Sequence, residues 1–193
     1  MILGITGGSG CGKTTLLQAV EHRGGMVLDC DVIYHDLLKT DEAMLRAIGE
    51  RFPGTVENGV LQRKKLGKLV FSDENALLDL NRITHRAVRR EVLRRLEKAP
   101  RHAAIDAIGL FEGDLASLCH TTVAVLAPIE DRVRRLTRRD GISEDYARGR
   151  IEAQHPDDWF RAHCQHILVN DGDLISFRAK CLAFLDEIGI MEP

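Results

Sequence analysis

The sequence predicts an α/β fold in which a five-stranded parallel sheet is covered by helices on both faces, and two observations carry that prediction. Five short apolar runs are spaced along the chain: ILGIT at 2–6, MVLD at 26–29, AAIDAI at 103–108, TVAVLA at 122–127 and HILVN at 166–170. Each has the length and apolarity of a strand buried on both sides. The segments between them are mostly ten residues or longer and place apolar residues at helical spacing, so strands and helices alternate as in βαβ units.

The first run leads into GITGGSGCGKTT at 4–15, which holds five glycines, a lysine and three threonines. Gly7, Gly12, Lys13 and Thr14 fit the pattern G-x-x-x-x-G-K-[ST] and stand where its mechanism needs them, between a strand and a helix. Glycine lets the backbone curl so that successive amides point at phosphate oxygens, and the following helix adds the positive end of its dipole. Gly8, Ser9, Gly10, Cys11, Gly12, Lys13, Thr14 and Thr15 are therefore the expected nucleotide-binding residues. Lys13 is expected to reach the β and γ phosphates of ATP, and the Thr14 hydroxyl to hold Mg²⁺. The pattern refines the fold class to the three-layer α/β/α architecture of P-loop nucleoside triphosphate hydrolases. Cys11, inside the loop, sits in a field that favours thiolate and is expected to be reactive.

The helix after the loop stops at Gly24 and Gly25. The second strand ends in LDCDVIYHD, which puts Asp29 and Asp31 at the carboxyl edge of the sheet, where open α/β proteins bind ligands. A carboxylate there can take the proton of an attacking hydroxyl, and Asp31 is the candidate base. A spacing of two along a strand turns only one of the pair toward the pocket, and the competing role is capping of the next helix.

The interval 31–101 shows no convincing strand and several helical pieces, among them ENALLDLNRITHRAVRREVLRRLEKA, and reads as a helical insertion. His35 and His85 lie in it, and their spacing alone assigns them local packing rather than chemistry. Asp106, at the end of the third strand, is a candidate to orient Mg²⁺ through water.

In the interval 129–164, EDRVRRLTRRDGISEDYARGRIEAQ reads as a helix, a turn at Asp140 and Gly141, and a second helix capped by Ser143. It carries seven arginines: Arg132, Arg134, Arg135, Arg138, Arg139, Arg148 and Arg150. A hinged arginine hairpin can close on a nucleotide, neutralise the transferring phosphoryl group and exclude water. Arg138 and Arg139, beside the turn, are the candidates.

Composition narrows the alternatives. The 193 residues suit one domain, with 31–101 as its insertion and 129–164 as its lid region. A formal net charge of −2 gives no reason for adhesion to nucleic acid, and a base-stacking surface needs aromatics where 129–155 has only Tyr146. No apolar run approaches the roughly 18 residues of a membrane span, and the N-terminus carries no secretory signal, so a cytoplasmic protein is expected. Cys11, Cys30, Cys119, Cys164 and Cys181 are odd in number and form no CxxC pair, which fits reduced thiols rather than disulfides or structural zinc.

Taken together these stretches resemble the dephospho-coenzyme A kinase family over nearly the whole chain. GITGGSGCGKTT is similar to its nucleotide loop, LDCD to its second strand end, and NGVLQRKKLGKLVF at 58–71 to its Gly-x-Leu-x-Arg segment. RRDGISEDYARGRIEAQ at 138–154 is similar to its lid, and Asn170 stands where the family has an asparagine after the last strand. The resemblance implies transfer of phosphate from ATP to the ribose 3′-hydroxyl of dephospho-CoA, with Asp31 against that hydroxyl. It adds Arg63 and His85 to Asp31 and Asp106 as acceptor-binding residues, Asn170 to the nucleotide site, and Arg138 or Arg139 over the phosphates. The partners it implies are small molecules, with no nucleic acid or membrane, for a monomer or weak homo-oligomer. Ile108 and Gly109 replace the family's Pro and Leu, Arg86 follows His85 in place of proline, and Phe160, Cys164 and Gln165 stand where the family has Lys, Ala and Asp. The rival readings are a P-loop kinase for a nucleoside, a nucleotide or another small hydroxyl compound, and a nucleotide-binding regulator. LQRKKLGKLVF speaks against the first. The absence of an Asn-Lys-x-Asp string, and a carboxylate beside an arginine lid, speak against the second.

Overall fold

The computed structural model of the chain describes residues 1–191. Its described residues divide into two compact units, the first made of 1–28, 99–110 and 115–191, the second of 29–98 and 111–114.

The first unit is built on β1 (Ile2–Thr6), β2 (Met26–Asp29), β5 (Ala103–Asp106), β6 (Thr121–Leu126) and β7 (His166–Val169), ordered β2-β5-β1-β6-β7. β1 lies parallel to β5 and to β6, and β6 is parallel to β7. The register sets Ile5 beside Asp106 and Thr6 beside Ala124. Successive side chains on β6 serve opposite faces, as period-two alternation requires. Val123 and Val125 join Leu3, Ile5, Leu16, Val20, Phe177 and Leu185 under α1 (Lys13–His22) and α9 (Leu174–Glu187). Ala124 and Leu126 instead meet Phe160 on α8 (Asp157–His163). This two-sided burial is why the strands read as unbroken apolar runs.

α1 stops as its glycines dictate: the Gly24 amide, at φ 71°, donates to Glu21 and the Gly25 amide to Val20. α6 (Ile129–Asp140) ends at Gly141 with φ 66°, and α7 (Glu144–Glu152) starts at Ser143, whose hydroxyl accepts the Tyr146 N–H. Val133 and Leu136 of α6 pack on Ala147 and Ile151 of α7, giving the hairpin a small core of its own.

The second unit contains α2 (Cys30–Thr40), α3 (Glu42–Arg51), α4 (Arg63–Phe71) and the long α5 (Glu74–Leu96). Against the sequence reading, it also contains strands: β3 (Val56–Glu57) pairs antiparallel with β4 (Val60–Leu61). Asn58 and Gly59 form the turn with φ 51° and 76°, both left-handed, which is the geometry that a two-residue hairpin requires and that an Asn-Gly pair accommodates. Among the described residues no helix is long and apolar enough to cross a membrane.

Candidate active site

The glycine-rich loop joins β1 to α1, and Lys13 of α1, two arginines of α6 and the residue after β7 hold it in shape. Gly7, at φ 129°, passes so close to β6 that a methyl group there would lie 2.2 Å from the Val125 carbonyl oxygen. Lys13 Nζ donates to the Gly7 carbonyl at 2.9 Å. Arg132 Nε donates to the Ser9 carbonyl at 3.0 Å, Arg135 Nη1 to the Gly10 carbonyl at 3.1 Å, and Asn170 Nδ2 to the Cys11 carbonyl at 2.9 Å. In a planar trans peptide the carbonyl and the next amide point opposite ways, so these bonds turn the Gly10 and Gly12 amides away from the bracing side chains. Gly12 caps α1 in the left-handed conformation with no side-chain acceptor, which leaves the first amides of α1 available to an anion.

Asn170 is buried, and its contact with Cys11 makes it a strut of the loop. Thr14 is exposed in the first turn of α1, and half-buried Asp106 ends β5. A hydroxyl and a carboxylate are oxygen donors that fit a hard cation such as Mg²⁺. They are too few to hold it without phosphate oxygens, in keeping with the absence of a ligand cluster among the described residues. Cys11 departs from its expected reactivity: it is fully buried, and burial raises its thiol pKa against the opposing pull of Arg132 and Lys13.

The seven arginines of the hairpin separate by partner. Arg132 and Arg135 bind the loop. Arg148 holds Glu130 through two bonds of 3.0 and 2.8 Å, and Arg134 pairs with Asp131. Arg139 grips Asp140 at 2.6 and 3.0 Å, and Arg150 reaches the same carboxylate at 2.8 Å. Hydrogen bonds from Arg139 and then Arg150 hold the Asp140 carboxyl down at about 2. Arg138 is exposed and makes no hydrogen bond or ion pair among the described residues. The arginines touching the phosphate loop are thus Arg132 and Arg135, rather than the pair beside the turn. The sequence did carry a signal for Arg132, which precedes Leu136 by four residues and so lies on the buried face of α6.

In the second unit the chain turns helical at Cys30, so Asp29 and Asp31 are not two positions of one strand. Asp29 caps α2, its Oδ1 accepting the Asp31 and Val32 amides at 2.9 and 3.0 Å. Asp31 is left exposed in the first turn, its carboxylate without a partner among the described residues. One turn on, His35 Nδ1 lies 3.3 Å from Arg63 Nη2 at the start of α4. Burial raises the pKa of neighbouring Tyr34, and the Arg63 charge opposes that rise. The sequence assigned no chemistry to His35, yet it is the histidine that stands beside Arg63. His85 lies elsewhere, its Nδ1 3.2 Å from the Glu112 carbonyl, tying α5 to the 111–114 segment.

Comparison with known proteins places the chain in a family. The family model described as Dephospho-CoA kinase matches residues 1–176. The chain is 34% identical over 189 residues to a dephospho-CoA kinase of Thermus thermophilus, covering 97% of this chain and 92% of that protein. It is 31% identical over 198 residues to the dephospho-CoA kinase of Bacillus thuringiensis subsp. konkukian, covering 100% of this chain and 99% of the other. Among solved structures, TT1252 from Thermus thermophilus superposes with a TM-score of 0.81 at 33% identity over 97% of each chain.

Proposed function

The chain belongs to the dephospho-CoA kinase family, and on that premise we propose how its residues divide the work of moving the γ-phosphoryl group of ATP to the ribose 3′-hydroxyl of dephospho-CoA. The observation that carries the proposal is the braced phosphate loop, with Lys13 in it and Arg132, Arg135 and Asn170 behind it.

The loop amides and Lys13 bind the nucleotide phosphates, and the transition state is loose enough that positioning and charge neutralisation supply most of the acceleration. When bound, Mg²⁺ would offset the charge on the β and γ phosphate oxygens, held by the Thr14 hydroxyl and, through water, by Asp106. Asp31 accepts the proton of the 3′-hydroxyl as that oxygen attacks in line, and no covalent enzyme intermediate is needed. Arg63, with His35 beside it, supplies positive charge for the acceptor's phosphates. His85 serves the acceptor site by fixing the 111–114 segment. At the turn of the hairpin, Arg138 is unpaired among the described residues and Arg139 exchanges Asp140 for phosphate oxygens.

This reading treats the chain as one P-loop kinase domain, with 31–101 binding the acceptor and 129–164 acting as the lid. It acts in the cytoplasm on ATP and dephospho-CoA, as a monomer or weak homo-oligomer. The test is ADP release with Mg·ATP and dephospho-CoA, run beside adenosine and CMP, followed by mass analysis of the product. Gain of one phosphate by dephospho-CoA alone supports the reading. Turnover only with another acceptor transfers the substrate assignment, and tight ATP binding without turnover overturns the kinase.

A further inference from the structure

Gln154 lies just past the end of α7, and its carboxamide works at both atoms. Oε1 accepts the Ser9 N–H at 2.9 Å and Arg132 Nη2 at 3.0 Å, while Nε2 donates to Ser9 Oγ at 2.9 Å. Arg132, only 4% exposed, closes the triangle through its bond to the Ser9 carbonyl. The fit leaves no slack. A methyl group on Gly8 would lie 2.0 Å from Arg132 Nη2 and 2.9 Å from Gln154 Oε1.

We propose that Gln154 is a positioning residue for phosphoryl transfer, fixing the Ser9 corner of the phosphate loop and the plane of the Arg132 guanidinium in one arrangement. A carboxamide suits this place for two reasons. It presents an acceptor to two N–H donors and a donor to the Ser9 hydroxyl at once. It is also neutral, whereas a carboxylate would set a negative charge beside a loop built for phosphate and would pull the Arg132 charge toward itself. Ser9 and Arg132 come from segments more than a hundred residues apart, so a side chain bonded to both fixes a geometry that neither segment sets alone. Displacements of about 1 Å in such supports cost on the order of a hundredfold in rate.

The proposal rests on the kinase reading, and two variants test it: Gln154→Met, which keeps the length without the bonds, and Gln154→Glu. Gln154→Met is expected to lower kcat/KM for ATP by roughly ten- to a hundredfold, mainly through kcat, with KM for dephospho-CoA within about twofold of the unmodified enzyme. Gln154→Glu should melt no lower than the unmodified enzyme, because it gains an ion pair with Arg132, and should still be slow at neutral pH. A merely structural glutamine would instead lower the melting temperature and leave kcat and KM of the folded fraction unchanged, and that result overturns the proposal. Should Gln154→Met fail to fold, Gln154→Glu decides alone: folded and slow supports the proposal, folded and fast overturns it. Calorimetric titration with a non-hydrolysable ATP analogue separates this failure from that of the kinase reading. If the unmodified enzyme binds the analogue but phosphorylates no acceptor, the kinase reading fails; if it phosphorylates dephospho-CoA and Gln154→Met does so with the same kcat, the role of Gln154 alone is overturned.

Discussion

The Asp29 carboxylate accepts the backbone N–H of Asp31 at 2.9 Å, so the first acid of the pair holds the turn that presents the second. The two roles that compete for one residue in the sequence are divided between neighbours. Asp31→Asn is expected to lower kcat by about 10² to 10³, the range of general-base catalysis, with ATP affinity and melting temperature unchanged because the side chain is exposed. Asp29→Ala should cost about 1 kcal/mol of stability as a lost helix cap. Lys13→Ala should lose turnover and ATP binding together. Steady-state kinetics beside nucleotide titration separates the three, and full turnover by Asp31→Asn would remove it as the base.

Gly7 and Gly24 both have positive φ, yet they meet different surroundings. At Gly7 an added methyl would strike the Val125 carbonyl at 2.2 Å, backbone that cannot yield without disturbing β6. At Gly24 an added methyl would meet no described atom within 4 Å apart from its chain neighbours, so only the left-handed conformation resists a side chain. Gly24→Ala should therefore cost about 1 to 2 kcal/mol and leave kcat and KM intact. Gly7→Ala should abolish nucleotide binding in whatever protein folds. Equal kinetics for the two variants would show that the close approach to β6 is not needed for the loop's function.

These contrasts mark where the sequence was legible. Strands buried on both faces announce themselves as apolar runs, and β1 and β2 match their predicted bounds to the residue. The Asn58–Gly59 hairpin carried an equally direct turn signal, but strands of two residues leave no room for alternation to show. The partners of Arg132 and Arg135 were hidden for a different reason, although the helical spacing of Arg132 from Leu136 already put it on the buried face of α6. A charged side chain in a helix reads as surface until the packing shows a backbone carbonyl to receive it, and the Ser9 and Gly10 carbonyls lie more than a hundred residues away in sequence. The spacing argument for Asp29 and Asp31 assumed a strand where the chain already turns into α2, so it did not anticipate Asp29 as the cap and Asp31 as the exposed acid of the first turn.

Asp140 gives the hairpin a defined acid limit. Its carboxyl sits at about 2 in the folded chain, held there first by Arg139 and then by Arg150, against about 3.9 when unfolded. A depressed folded pKa contributes stability that is present above the unfolded value and lost as pH falls through the folded one. The contribution is therefore constant from pH 5 to 8 and disappears between roughly pH 4 and 2. Carbon-detected titration of the Asp140 carboxyl should give a midpoint near 2. In Asp140→Asn, the acid unfolding profile should lose the part of its slope that lies below pH 4. A midpoint near the ordinary carboxylate value would show that the Arg139–Asp140–Arg150 cluster does not persist in solution.

Phe160 stands where the resemblance places a lysine, and its surroundings show why an aromatic ring is kept here. The side chain is 2% exposed and packs with Ala124 and Leu126 on the face of β6 opposite α1, its ring edge-on to Trp159 with centroids 5.3 Å apart. A lysine there would have to bury its stem and lead its ammonium out past the indole, so the exchange for phenylalanine turns an exit for charge into core. Phe160→Ala should cost about 3 kcal/mol, with a further penalty for Phe160→Lys. For a chain of this size that lowers Tm by roughly 6 to 12 °C. At temperatures where the variants stay folded, KM for ATP and for dephospho-CoA should remain within about twofold of the unmodified enzyme, because the ring touches neither the phosphate loop nor its braces. Thermal unfolding beside steady-state kinetics at 20 °C decides the point: an unchanged Tm with a raised KM would make Phe160 a binding residue and not a packing one.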